Sequence, residues 1–327
     1  SVMGNKLSII GAGAWGSALA IALSDKFDTI YLHAHTETEA QTLKPQHHAL
    51  PRPYTDNIEI IHGFEVLKHA NDILIATPSY AFSEVLETLK PLITLQHNIA
   101  WATKGFDTRA HCFLYQSFER ILPTHQGCIL SGPSFAFEVA SHKPTALVAA
   151  SKDKETRSHW AELIRTKTLR AYTNKDVVGV EVGGSVKNIL AIAAGIASGL
   201  GYGINTQAAL ITRGLAEMTR LGVSMGASPD TFVGLSGLGD LVLTCSDDLS
   251  RNRRFGKELA NDHSVKNALI NVGATVEGLN TLDLILSIAT EQQVEMPICE
   301  QVYYVTQGKV SPTEAVNHLM SRDQIDE

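Results

Sequence analysis

The chain has 327 residues, 44% of them hydrophobic, which is enough for two domains with buried cores, and its moderate charge excludes a disordered polymer. A net charge of -7 argues against a broad nucleic-acid-binding surface but leaves room for a local basic pocket that takes a phosphate. The four cysteines, at 112, 128, 245 and 299, make no CxxC or metal-ligand spacing, so they read as reduced core thiols of a cytosolic protein, and no metal is expected.

In chain order, Ser1–Lys6 and the four apolar residues Leu7–Ile10 are too short for a signal peptide, so none is expected. Leu7–Ile10, Thr29–Leu32, Asp72–Thr77, Ile99–Ala102, Ile129–Leu130 and Ala146–Ala150 read as buried strands, with Leu169–Tyr172 a further short one. Helical spacing fills Ala14–Leu23, Phe82–Leu89, Cys112–Leu122 and Arg157–Thr166. His47 and His48, set among prolines, read as a plain loop, because chain neighbours rarely face one metal. This alternation predicts an α/β fold: a Rossmann-type, mostly parallel sheet with helices on its faces.

Near Asn174 the pattern changes to three- and four-residue spacing. Val177–Ser198, Thr206–Gly222, Asn252–Ala260, Val276–Glu291, Ile298–Gln307 and Pro312–Met320 read as helices, and 322–327 as a solvated tail. The expected division is a dinucleotide-binding domain over 1–174 and an all-α substrate and catalytic domain over 175–327. The apolar run Val177–Tyr202 carries Glu181, Lys187 and Asn188. A span through lipid would bury such charges at about 2.5–3.5 kcal/mol each, so a core helix is the better reading and no integral membrane segment is expected.

Gly11-Ala12-Gly13-Ala14-Trp15-Gly16 follows a strand and opens an Ala-rich helix. In a GxGxxG of this kind Gly11 permits the tight turn, Gly13 lets backbone approach a pyrophosphate, and Gly16 lets the helix pack on the strand. The helix N-terminus then faces the phosphates with unsatisfied N–H groups. The acidic residue that favours NAD is expected about 20 residues further on; this chain has His33-Ala34-His35-Thr36-Glu37 there. With no carboxylate at the strand end, His35 and Thr36 can meet a 2′-phosphate. NAD(H) or NADP(H) is therefore the expected cofactor, with NADPH tolerated.

Four polar clusters carry the chemistry. Lys104 follows the strand ending at Ala102, and Ser131-Gly132-Pro133-Ser134-Phe135-Ala136 follows the next strand. Both fall at carboxyl ends of strands, where open α/β sheets bind ligands; Lys104 alone reads equally as a solvated loop residue. Lys187 lies midway along a helix of Gly, Ala and aliphatic residues. Buried there, it loses the solvation of its charge and can give or take a proton near neutrality; the alternative is a packed stem with its ammonium in water. Gly237-Leu238-Gly239-Asp240-Leu241 and Ser250-Arg251-Asn252-Arg253-Arg254-Phe255-Gly256 form the last pair of motifs. Ser250 reads as an N-cap, and Arg251 and Asn252 in the first helical turn suit a phosphate, against the alternative of a basic surface patch.

In this order the motifs resemble the bacterial-type NAD(P)-dependent glycerol-3-phosphate dehydrogenases over nearly the whole chain. The carriers also include Leu210-Ile211-Thr212-Arg213-Gly214 and Val276-Glu277-Gly278. The resemblance implies a Rossmann domain followed by an all-helical domain like that of 6-phosphogluconate dehydrogenase, and reduction of dihydroxyacetone phosphate to sn-glycerol 3-phosphate for glycerophospholipid synthesis. It implies that Lys187 is the acid/base residue and that Lys104, Gly132, Ser134, Asp240, Ser250, Arg251 and Asn252 contact substrate. It places Gly11, Gly13, Ala14, Trp15, Gly16, His35, Lys104, Ala136, Arg251, Val276 and Glu277 at the cofactor. Some relatives carry an arginine near positions 35 and 36, where this chain has none. The expected partners are the small-molecule substrate and product, not nucleic acid, and a homodimer is allowed for. Two rival readings stay open: a related β-hydroxyacid or sugar-acid phosphate dehydrogenase, which would not be expected to share Ser250–Gly256, and a non-catalytic redox sensor, which would not need Lys187 and Asp240.

Overall fold

The computed structural model describes residues 4–261 and 264–321, so the expected tail at 322–327 lies outside the described residues. The chain divides into two compact units, Ser1–Val177 and Val178–Glu327.

The first unit is an eight-stranded sheet of β1 (Lys6–Ile10), β2 (Thr29–His33), β3 (Ile58–Ile61), β4 (Asp72–Ile75), β5 (Asn98–Trp101), β6 (Gly127–Ser131), β7 (Thr145–Ala150) and β8 (Leu169–Asn174). The spatial order is β3-β2-β1-β4-β5-β6-β7-β8, and every neighbouring pair is parallel except β6 and β7. The sheet is thus mostly parallel, as the alternation of elements predicts. Its helices are α1 (Ala14–Leu23), α2 (Glu37–Thr42), α3 (Phe82–Leu89), α4 (Leu114–Ile121), α5 (Ala136–Ala140) and α6 (Lys154–Ile164). The core includes Leu7, Ile9, Ile30 and Leu32 from the strands, Leu19 and Leu23 from α1, and Trp160 and Ile164 from α6. Strand order reverses at β1, which lies between β2 and β4. That reversal is the switch point at which such sheets bind ligands. Register pairs Ile10 with both His33 and Ile75, and Ile75 with Trp101, so the turns after these strands open at one edge.

Several elements differ from the sequence expectation. The strand expected over Asp72–Thr77 stops at Ile75, and Ala76 and Thr77 turn over the glycine loop. The helix expected from Cys112 begins at Leu114, because Cys112 exchanges backbone hydrogen bonds with Asp107 in an antiparallel bridge. Cys112 is also only half-buried, whereas the other three thiols are in the core. Helix α6 starts at Lys154, three residues before the expected start, because Asp153 caps it by accepting from Thr156 N–H at 3.0 Å. The strand β3 and the helices α2 and α5 were not expected; each is six residues or fewer, too short to show a period. His47 and His48 stack on each other in the segment between α2 and β3, as a loop.

In the second unit every regular element among the described residues is helical: α7 (Val177–Gly199), α8 (Ile204–Ser224), α9 (Pro229–Phe232), a π turn at Leu235–Gly239, α10 (Asp240–Ser246), α11 (Arg251–Ala260), α12 (Val265–Val272), α13 (Glu277–Glu291), α14 (Pro297–Thr306) and α15 (Pro312–Met320). Helix α7 is long and apolar enough to cross a membrane, yet 89% of its most apolar window is buried inside the protein, as a core helix requires. Its small residues admit neighbouring backbone. A Cβ on Gly195 would lie 2.0 Å from the Arg253 carbonyl oxygen, and one on Gly256 would lie 2.1 Å from that of Ile192, so α7 and α11 touch main chain to main chain.

Candidate functional site

At the switch point, β1 ends in Gly11, whose φ of +117° and the Ala76 carbonyl, 2.7 Å from where a Cβ would sit, admit only glycine. Gly16 meets the Gly11 carbonyl in the same way, packing α1 against the turn. Gly13 has nothing within 4 Å of its Cβ direction, and the first turn of α1 carries no acidic side chain. An open glycine before an uncompensated helix N-terminus fits a dinucleotide's phosphates. Ala14 and Trp15, the first two residues of α1, are partly exposed beside it.

Trp15 links this turn to the next strand end. Its indole N–H donates to the Ala102 carbonyl at 2.9 Å, and the Lys104 ammonium stands 4.8 Å from the indole centroid. Lys104 also donates to the Ser134 carbonyl at 3.3 Å, and the Ser134 hydroxyl donates to the Gly132 carbonyl at 3.0 Å. Gly132, at φ +138°, crosses the backbone of β7 where a side chain would not fit. Ala136 begins α5 immediately after. The glycine turn, the β5 end and the β6 end are thereby joined.

His35 is exposed two residues beyond β2, and Thr36 caps α2 by accepting from Glu39 N–H at 3.1 Å. His33, the last residue of β2, is buried and stacks on Phe64. Burial pushes its imidazole down to about 4 against a hydrogen bond to the Gly63 carbonyl, so it stays neutral at the end of β2. Of the two histidines at this strand end, His35 is the exposed one and His33 the buried one, a difference that spacing along the chain does not reveal.

In the second unit Lys187 is 3% exposed and its ammonium is hydrogen-bonded to the carboxylate of Asp240, itself 2% exposed. Neither the lone buried amine nor the snorkelling stem describes it: the charge is buried with its counter-ion. The π turn precedes Asp240, at the first position of α10, and the Thr244 hydroxyl reaches the other carboxylate oxygen at 3.5 Å. Burial pushes the Cys245 thiol up to about 12, a rise that Arg253 and Lys187 oppose, so it is no nucleophile.

Next along α7, Asn188 accepts from the Asn252 amide at 3.2 Å, and the Asn252 side-chain oxygen accepts from Gly278 N–H at 2.8 Å. Asn252 therefore ties α7, α11 and the start of α13 together, which sequence reading did not foresee. Val276 is the buried N-cap of α13 and Glu277 its first residue, so both stand beside this tie. Ser250 caps α11, as expected, accepting from Arg253 N–H at 3.2 Å. Arg253 donates to the Cys245 carbonyl at 3.0 Å and the Ser198 hydroxyl at 3.1 Å, and pairs with Asp248. Arg251, one residue before Asn252, is exposed at the first position of α11. Lys187 and Arg251 are thus each the chain neighbour of a residue in the Asn188–Asn252 bond.

Two family models match the chain: NAD-dependent glycerol-3-phosphate dehydrogenase N-terminus over residues 6–157 and C-terminus over 176–317. The glycerol-3-phosphate dehydrogenase (NAD(P)+) of Ruthia magnifica subsp. Calyptogena magnifica is 73% identical over 325 residues, covering 99% of this chain and 100% of that protein. The protein of the same name from Legionella pneumophila (strain Lens) is 45% identical, with 97% of each covered. Among solved structures, the glycerol-3-phosphate dehydrogenase of Coxiella burnetii superposes with a TM-score of 0.92 at 39% identity, covering 98% of this chain and 100% of that one.

Proposed function

Because the chain belongs to the NAD-dependent glycerol-3-phosphate dehydrogenases, we propose that it reduces dihydroxyacetone phosphate to sn-glycerol 3-phosphate, with Lys187 as the proton donor. It is an NAD(P)-dependent oxidoreductase of that family. The observation that carries the reading of its site is the buried Lys187–Asp240 pair, held beside the Asn188–Asn252–Gly278 chain of hydrogen bonds.

Residues 1–174 act as the dinucleotide-binding domain and 175–327 as the substrate and catalytic domain. Gly11, Gly13, Ala14, Trp15 and Gly16 hold the cofactor phosphates at the α1 N-terminus, and His35 meets the adenosine end. Lys104, Ala136, Arg251, Val276 and Glu277 complete its contacts. Bound NAD(P)H supplies the hydride. The Lys187 ammonium donates a proton to the carbonyl oxygen and stabilises the negative charge that develops there. Asp240 orients that ammonium and balances its charge. Arg251 takes the substrate phosphate, with Lys104, Gly132, Ser134, Ser250 and Asn252 around the triose, and this remote hold sets the geometry at the reacting carbon. Asn252 does this chiefly by positioning, since its amide already spans two helices.

The product is a glycerolipid precursor, and glycerophospholipid synthesis is the role assigned to it. The cytoplasm is its compartment, small molecules rather than nucleic acid are its ligands, and a homodimer is its assembly, to be read by sedimentation. The test of the activity is NADH and NADPH absorbance on addition of dihydroxyacetone phosphate. Both cofactors are expected to be consumed. No consumption of either would overturn the activity, and strict rejection of NADPH would overturn the roles of His35 and Thr36.

A further inference from the structure

The two residues that join the cofactor turn to the next strand end are Trp15 and Lys104. Trp15 is the second residue of α1, two positions after Gly13. Its ring is pinned by the indole N–H bond to the Ala102 carbonyl, 2.9 Å away, so it cannot turn without breaking that bond. Ala102 is only two residues before Lys104. The Lys104 ammonium lies 4.8 Å from the indole centroid, within the roughly 6 Å reach of a cation–π contact, for which tryptophan is the best ring. Lysine is a flexible four-carbon stem carrying a point charge. Here its head is held from two sides, by the indole face and by the Ser134 carbonyl at 3.3 Å.

We propose that Trp15 is a positioning residue for Lys104, and that it couples occupancy of the cofactor turn to affinity for the phosphorylated substrate. This rests on the reading of Lys104 as a substrate contact given above. The turn that meets the cofactor phosphates and the cation that meets the substrate share one rigid ring. The single bond to Ala102 holds the ring in this place, and a cofactor seated on the turn favours the bonded ring over the ring released from Ala102, which presents the ammonium in one position. By thermodynamic reciprocity the substrate then tightens cofactor binding by the same factor. Helix α1 packs chiefly through Gly16, Ala18 and Leu19, with Trp15 half-buried at its edge, so a leucine at 15 keeps apolar packing while removing the indole N–H and the π face.

The experiment is a double-mutant cycle of Trp15→Leu, Lys104→Met and the double variant, with Trp15→Phe as the conservative replacement and far-UV circular dichroism as the check on folding. KM for dihydroxyacetone phosphate is measured at saturating NADH, and the dissociation constant of NADH is measured by fluorescence with and without glycerol 3-phosphate. Trp15→Leu is expected to raise KM for dihydroxyacetone phosphate about tenfold, equivalent to about 1.4 kcal/mol, measured at NADH levels re-saturated for each variant. Trp15→Phe keeps a π face but loses the bond to Ala102, and is expected to recover part of that loss. In the Lys104→Met background, Trp15→Leu is expected to leave KM unchanged, and in Trp15→Leu glycerol 3-phosphate no longer tightens NADH. Equal effects of Trp15→Leu with and without Lys104, or no recovery by phenylalanine, would overturn the coupling. If the parent enzyme does not turn over dihydroxyacetone phosphate at all, the functional reading fails first, and that outcome is distinct from additivity among active variants.

Discussion

The buried charge pair sets a quantitative expectation. Two unit charges about 3 Å apart at an effective dielectric of about 20 attract by about 5 kcal/mol. Lys187 and Asp240 are both almost wholly removed from water, so this attraction offsets two desolvation penalties rather than adding net stability. Removing one partner strands the other, at about 3–5 kcal/mol. Removing both leaves little to strand. Lys187→Met and Asp240→Asn should therefore each lower the unfolding free energy by about 3–5 kcal/mol, whereas the double variant should lose much less than the sum. The assay is urea unfolding of the four proteins with linear extrapolation. Turnover is followed in parallel, and loss of the proton donor should cut kcat by about 10²–10⁴ while NADH binding survives. A double variant whose loss equals the sum of the two single losses would refute the paired-charge reasoning. Near-normal turnover in Lys187→Met would remove the amine from the mechanism.

Arg251→Ala should raise KM for dihydroxyacetone phosphate by at least tenfold, because a charge-assisted contact to phosphate is worth about 1.5–3 kcal/mol; an unchanged KM rules out the anchor. A third expectation concerns Glu217, 1% exposed on α8, which accepts from Ile298 and Cys299 N–H at the start of α14. Burial pushes its carboxyl from 4.5 up to about 7 against those bonds, which corresponds to about 3 kcal/mol. The folded state keeps the proton longer than the unfolded chain, so stability falls as pH rises from about 4.5 to 7 and the penalty is complete above that. Urea midpoints at pH 5 and pH 8 should show Glu217→Gln gaining on the parent as pH rises, and parallel profiles would contradict it. Finally, Gly195→Ala puts a methyl group 2.0 Å from the Arg253 carbonyl and should destabilise by about 1–3 kcal/mol. Gly184→Ala, with nothing within 4 Å, should be neutral or stabilise by up to about 1 kcal/mol. Equal melting temperatures for the two variants would refute the contact between α7 and α11.

Long periodic elements and local caps were determined by the sequence itself, because both depend on neighbours within a few residues. The strand runs Leu7–Ile10 and Thr29–Leu32, the helix Pro312–Met320, the Ser250 cap and the glycine turn at 11–16 were legible for that reason. Short elements such as α2, α5 and β3 were not, since too few residues repeat to show a period. Asp153 and Ser264 cap α6 and α12 by local bonds that a sequence can carry. Tertiary structure alone decided who pairs with whom. Lys187 and Asp240 are 53 residues apart, Asn188 and Asn252 are 64 apart, and Trp15 and Ala102 are 87 apart. No local rule relates such positions. The residue types announced the chemistry, but whether a buried amine stands alone or beside a carboxylate depends on which helices pack together, and that is a property of the whole folded unit.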